Sequence, residues 1–382
     1  MELEEFYQHA ELKENPFRQN EDQEDDPRSG IWVGYDDQKT VLVRFLEKCT
    51  REDGRSHFIM LYGTWGTGKS HALLWARHQI VHAQAGNFQS VAYYIRTLKV
   101  EDKLSFGQAI NHFVVNRSRF LRDVLNFGQW LKERIAEFKT ENHLGADFTY
   151  EDAVARLYSN VEQVTIARHI LHCQSHEDII SKLELAKSKD YKVMSTFATT
   201  MKLFTSPLRI NGSNVRFKKA AYLFIDELDD LDRASVKERQ NTNDLLRDFY
   251  DMLPKNFCLV GGLSISASDL ESIFPAYVLE RVRKKIVMSH FRAHDAKDFV
   301  QQLIELHRVD GASHTGFYPF DELAVDAVIN RLPEELMTPR RIIEIFYEIL
   351  EGTRDAGFDF TDPLVTLDYL EDNDIIEDAL EG

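Results

Sequence analysis

Gly63-Thr64-Trp65-Gly66-Thr67-Gly68-Lys69-Ser70 is the stretch that decides the fold. It matches the pattern of a glycine, four residues, and then Gly-Lys-Ser. Before it lies a short apolar run, His57 to Tyr62 (HFIMLY), which reads as a strand. After it, from Lys69 to about residue 85, the pattern is helical. A glycine-rich turn between a strand and a helix lets backbone N–H groups and the positive end of the helix converge on a β-phosphate. Lys69 is expected to reach the β and γ oxygens, and Ser70 to offer its hydroxyl to Mg2+. The candidate cradle is Gly63, Thr64, Trp65, Gly66, Thr67, Gly68, Lys69 and Ser70, with His71 directly after it.

Outward from the loop, Ser90 to Thr97 (SVAYYIRT) reads as a second strand. Strand, glycine loop, helix and strand in that order make a parallel βαβ unit of right-handed connection. Tyr222 to Glu227 (YLFIDE) is an apolar strand that ends in two acids. Beside a phosphate loop, such a pair has a role: Asp226 holds the magnesium, directly or through water, and Glu227 orients and deprotonates the attacking water. The nearby acids Asp229, Asp230, Asp232 and Glu238 read as a solvated helix start rather than as further ligands. Strands near Phe257–Ser264 and Lys284–Ser289 complete the α/β rhythm.

These readings divide the chain into a polar leader (1–30), an α/β core (31–99 and 220–292), a helical insertion (100–219), a helical lid (293–354) and an acidic tail (355–382). The insertion makes the interval from glycine loop to acid pair about a hundred residues longer than the fold needs. Within it, His169, His172, Cys173 and His176 would share one face of a continuous helix. One helix face does not readily place four ligands tetrahedrally, so a packed or partner-facing helix is expected there rather than zinc. The interleaved arginines and aromatics of Asn116 to Arg122 read as a solvated amphipathic helix ahead of a nucleic-acid contact.

The 382 residues carry a net charge of -17. Such a charge opposes a bare electrostatic grip on nucleic acid, so any DNA contact must be local or shared between subunits. Acid gathers at Glu21–Asp26 and beyond Asp355, where solvated tails are expected. No apolar run reaches membrane-spanning length, and the first ten residues lack the basic start and apolar core of a secretory signal. With Cys49, Cys173 and Cys258 widely spaced and expected to be reduced, the sequence reads as a cytoplasmic protein with no membrane partner.

The motifs together resemble AAA+ ATPases, and within them the initiator-like branch around origin-recognition and Cdc6 proteins, with transposon ATP-binding regulators as cousins. Asn15-Pro16-Phe17, followed by Trp32 to Gln38 (WVGYDDQ), is similar to the entrance motif of that branch. The resemblance implies an adenine contact from Trp32, Val33 or Gly34, with Val33 the choice. Where the family has Gly-Arg-Glu, this chain has Gly34-Tyr35-Asp36. In Leu259 to Ser266 (LVGGLSIS) the resemblance implies a γ-phosphate sensor, and Ser264 is preferred to Ser266. It implies an arginine offered to a neighbouring subunit's ATP, either Arg281 or Arg283, and a lid arginine reaching back to the phosphates, for which Arg340 in Thr338-Pro339-Arg340-Arg341 fits. The branch follows its lid with a winged-helix DNA-binding domain, whereas fewer than thirty residues follow Asp355 here, rich in acid and without Lys or Arg.

The implied fold is a parallel-sheet P-loop AAA+ core with a C-terminal helical lid and a large helical insertion. The implied function is a Mg-ATP-dependent switch that assembles into homo- or hetero-oligomers of AAA+ subunits and acts on DNA or a DNA-processing partner. A signalling or defence NTPase that binds ATP and gates a protein effector is the alternative. A remodelling motor would need an aromatic pore loop after the second strand, and Arg96 to Phe106 offers no clear one.

Overall fold

The computed structural model describes residues 3–18, 27–82, 89–145, 147–183, 189–265, 269–360 and 364–381. Ser266 and the acidic run Glu21–Asp26 lie outside them. In chain order the elements begin with α1 (Leu3–His9), α2 (Asp36–Cys49), β1 (His57–Tyr62), α3 (Lys69–His82) and β2 (Val91–Ile95). A hairpin of β3 (Lys99–Val100) and β4 (Lys103–Leu104) leads to α4 (Phe106–Ile110), a π-helical turn at Asn111–Val115, α5 (Ser118–Glu141), α6 (Tyr150–Leu157), α7 (Val161–Leu171), α8 (His176–Lys182) and α9 (Asp190–Thr205). A second hairpin, β5 (Leu208–Ile210) with β6 (Ser213–Val215), precedes β7 (Ala221–Ile225), α10 (Asp230–Arg233), α11 (Val236–Met252) and β8 (Phe257–Leu263). Then come α12 (Leu270–Ile273), α13 (Ala276–Leu279), β9 (Val282–Val287), α14 (Ala293–Leu306), α15 (Glu322–Asn330), α16 (Pro339–Asp355), α17 (Leu367–Asp372) and α18 (Ile375–Glu381).

The chain forms two compact units. The sheet unit holds residues 40–62 and 76–287; the loop-and-lid unit holds 1–39, 63–75 and 288–382. In the sheet unit five strands run in the order β2-β7-β8-β1-β9, every neighbouring pair parallel. β2, β7 and β8 are buried along their whole length, as expected of apolar strands covered on both faces. β9 is an edge strand, and its exposed Arg283, Lys284 and Lys285 discourage pairing with a further strand. Because the strands are parallel, β1, β7 and β8 all end at the same edge of the sheet.

Residues 100–219 pack into one apolar core with this sheet. Phe120 and Phe197 meet Tyr93 of β2 with ring centroids 5.7 and 5.9 Å away, and Phe106 meets Phe249 of α11 at 5.1 Å. His169, His172, Cys173 and His176 do not share one helix: α7 stops at Leu171 and α8 starts at His176. The break is set by Ser175, whose hydroxyl accepts from the Asp178 N–H while Asp178 bonds back to Ser175, a reciprocal cap that begins a new helix. His172 pairs with Glu151 at 2.7 Å, and Cys173 is buried. The interleaved stretch 116–122 opens α5, with Phe120 and Leu121 buried in the core.

In the loop-and-lid unit, α14 packs on α15 and α16, and the segments at both ends of the chain pack with these helices. Phe17 is fully buried against Phe346 of α16, and Asn15 donates to Glu351 at 2.8 Å, so the Asn-Pro-Phe motif anchors the leader on that helix. The acidic tail is not a solvated strand of chain. Leu370, Ile375, Ile376 and Ala379 are buried, and α18 lies on α16 where Gly352 leaves room for Ile375. These residues, with Phe358 and Val365 buried as well, outweigh the surrounding acid, and Glu371 and Glu377 pair with Arg331 at the surface. Among the described residues no helix is long and apolar enough to cross a membrane.

Candidate functional site

The loop-and-lid unit carries the glycine loop. Gly66 and Gly68 hold φ of +81° and +80°, a region that side-chain-bearing residues avoid, and they curl the backbone into the first turn of α3. Lys69 opens that helix and is 5% exposed. Its ammonium donates to the Thr64 carbonyl at 2.7 Å and the Gly63 carbonyl at 3.2 Å, and lies 3.3 Å from the Thr67 hydroxyl. Thr67, wholly buried, donates in turn to the Thr64 carbonyl at 2.9 Å. Ser70 is half-buried as the second residue of α3. The His71 ring meets the Ile31 carbonyl, which ties α3 to the leader.

The start of α16 closes on this loop. Thr338 caps the helix and Pro339 takes its first position, where a missing N–H costs nothing. A Cβ at Gly66 would sit 3.0 Å from the Thr338 hydroxyl, and one at Gly68 would sit 3.4 Å from the Pro339 ring, so the glycines also allow this approach. The structure therefore brings Arg340 to the loop, with its guanidinium 3.9 Å from the centre of the Trp65 ring. Arg341 turns away and donates to the Leu380 carbonyl at 2.7 Å.

Val33 is buried beside Trp32, whose ring lies 4.9 Å from that of Trp75. Tyr35 has a role that the sequence reading did not assign it. Its hydroxyl lies 2.9 Å from the Thr67 carbonyl and 2.5 Å from the Ser289 carbonyl, so one proton serves two acceptors and joins the loop to the segment after β9. Burial first, and the Asp295 charge second, hold its phenol well above the ordinary range, so it stays a donor. Tyr35→Phe leaves both carbonyls short of a donor. The expected loss is about 1–3 kcal/mol of stability, read as a lower denaturant midpoint at unchanged m-value.

The sheet unit carries the acid pair. Asp226, 5% exposed, follows β7; its N–H donates to the Ile95 carbonyl at 2.8 Å, and its carboxylate accepts from Tyr94 of β2 at 2.8 Å. Glu227 adopts φ +50°, an uncommon left-handed backbone for glutamate, and donates its N–H to the Asp226 carboxylate at 2.9 Å. The turn is held by Leu228, whose N–H reaches the Gly262 carbonyl at 3.0 Å and whose side chain fills the space a Cβ at Gly261 would need. The Glu227 carboxyl titrates above the usual range, chiefly through partial desolvation and then the charges of Asp226 and Asp230, with Arg96 opposing. Asp230 starts α10 and accepts from Thr97, while Glu238 caps α11 through Ser235.

Ser264 lies at the end of β8 beside this group, and its N–H donates to Asp229 at 3.1 Å. Arg281 and Arg283 differ sharply. Arg281 is gripped by both carboxylate oxygens of Asp251, at 2.9 and 2.6 Å, and donates to the Tyr277 carbonyl. Arg283 is exposed on β9 and makes no ion pair among the described residues.

No family model and no curated protein matches the sequence. Among solved structures, the chain is similar to the Aeropyrum pernix ORC2 protein in its ADPNP-ADP complexes, with a TM-score of 0.53 and 11% identity over 96% of this chain and 71% of that one. It is similar to the ADP form of the same protein with a TM-score of 0.50 and 12% identity, again over 96% and 71%. At these identities the likeness speaks for the fold alone: the chain shares the fold of the Aeropyrum pernix ORC2 protein.

Proposed function

We propose that the chain binds Mg-ATP on the Gly63–Ser70 loop and hydrolyses it with Asp226 and Glu227, and that hydrolysis depends on a neighbouring subunit. The observation that carries this is the buried Lys69 ammonium, held by oxygens of a loop whose glycines permit the phosphate-cradling backbone. The place of the acids supports their role: they follow β7, a buried strand of the same parallel sheet as β1, the strand that the loop follows in sequence. The ADPNP and ADP complexes of the similar ORC2 protein support a nucleotide as ligand.

Ser70 and Asp226 are the residues that would hold Mg2+, and a hydroxyl with a buried carboxylate is the hard oxygen set this ion takes. An ion held there would supply positive charge against the phosphate oxygens. Glu227 accepts a proton from the attacking water, and its raised pKa makes it a stronger base than an ordinary carboxylate. Lys69 and Arg340 stabilise the charge on the transferring phosphoryl group, Ser264 senses it, and Val33 faces the adenine.

Arg283 is the arginine offered in trans, since Arg281 is engaged by Asp251. Arg283→Ala is expected to lower turnover by about 10²-fold or more. Mixing it with Lys69→Ala subunits should restore part of the rate, because each supplies what the other lacks. A rate that rises linearly with protein, survives Arg283→Ala and shows no rescue would remove the assembly coupling and favour the effector-gating reading. On the assembly-coupled reading, the substrate of the switch is DNA or a DNA-processing partner, and double-stranded DNA should raise the rate.

A further inference from the structure

We propose that Trp65 sets how strongly the site prefers a nucleoside triphosphate to a diphosphate, by holding Arg340 on its ring whenever no γ-phosphate is present to take it. This rests on the nucleotide reading above and adds a residue that controls it.

Trp65 is 68% exposed, an unusual position for so large an apolar side chain, and it stands within the glycine loop. One face of its ring is met by the Arg340 guanidinium at 3.9 Å. Arg340 makes no hydrogen bond or ion pair among the described residues, although the chain has 63 acidic and 46 basic side chains. Its neighbour Arg341 shows the ordinary outcome, bonded to Leu380 and 3.7 Å from Glu344. A guanidinium beside a phosphate loop, with an aromatic face in place of a carboxylate, is held weakly and stays available to an anion.

The backbone that carries it is fixed. A Cβ at Gly66 would lie 3.7 Å from the Arg340 Cβ and 3.0 Å from the Thr338 hydroxyl, so the first turn of α16 sits hard against the loop. Only the Arg340 side chain has to move between its two partners. A charge-assisted, forked contact with phosphate oxygens is stronger than an exposed cation–π contact, so a γ-phosphate wins. A diphosphate is served by the loop N–H groups and leaves Arg340 on the ring. The stack therefore taxes triphosphate binding alone, by about two- to fivefold.

The test is equilibrium binding of ADPNP, a non-hydrolysable triphosphate, and of ADP, each with Mg2+, to the full chain and its variants. Trp65→Ala should raise the ratio of ADPNP affinity to ADP affinity about two- to fivefold. Trp65→Phe, which keeps a ring and guards against a collapsed loop, should show a smaller gain. In an Arg340→Ala background Trp65→Ala should change nothing, since the pair acts as one contact. Equal effects on both nucleotides, no effect on either, or a gain that persists without Arg340 would each overturn the proposal while leaving the nucleotide site in place. Wild-type protein that binds neither nucleotide would overturn both.

Discussion

Glu227→Gln should lower ATP turnover by about 10²–10⁴-fold while leaving ATP affinity close to wild type. The amide keeps the shape and the left-handed backbone at φ +50°, but it has no basic oxygen with which to accept the proton from water. Single-turnover phosphate release separates this from a binding defect. The pH dependence carries a second signature. Desolvation and the charges of Asp226 and Asp230 raise the Glu227 pKa, so the ionised base, and with it the acid limb of the rate profile, comes in at a higher pH than an ordinary glutamate would give. The sign for stability is the reverse: a raised carboxyl pKa favours the protonated form in the fold, and that contribution fades as pH rises through the folded value. The neutral amide should therefore unfold at neutral pH no more easily than wild type.

Lys69→Ala should abolish detectable ATP binding at ordinary concentrations and reduce any residual turnover by about 10²–10³-fold, the cost of losing one preorganised charge at a reacting phosphate. Fold damage must be told apart from this. Lys69 is buried and holds the Gly63 and Thr64 carbonyls, so the variant should also lose stability, by about 1–3 kcal/mol for the groups left unpaired. Lys69→Arg keeps a charge but brings a wider, planar head into a loop tailored to an ammonium, and should recover stability better than binding. Equal binding of ATP by wild type and Lys69→Ala would remove the loop from the nucleotide site.

Much of the fold was legible because the signals were local. Glycines stop β1 after Tyr62, Lys69 starts α3, the apolar run to Ile225 ends at two acids, and Thr338 with Pro339 marks the start of α16. Each depends on a few adjacent residues. The break before His176 was legible too, since Ser175 and Asp178 form a capping box in plain sequence; the histidine spacing concealed it. The tail misled by composition, because its acid content hides the apolar residues that dock it, Leu370, Ile375 and Ile376 among them.

What sequence could not give were contacts over long separations. Tyr35 reads as a departure from a motif, yet its hydroxyl bonds Thr67 and Ser289, 32 and 254 residues away. Asp251 lies 30 residues before Arg281, and only that pairing separates Arg281 from Arg283. Gly261 reads as a weak point in β8 until Leu228 is seen to occupy the place of its side chain.

The most direct measurement is calorimetric titration of wild-type protein with ATP, with and without Mg2+, followed by an assay of phosphate released from the same samples. The expected result is saturable binding strengthened by Mg2+ and steady release of inorganic phosphate. Absence of binding under both conditions, or binding that is indifferent to Mg2+ and yields no phosphate, would contradict the account.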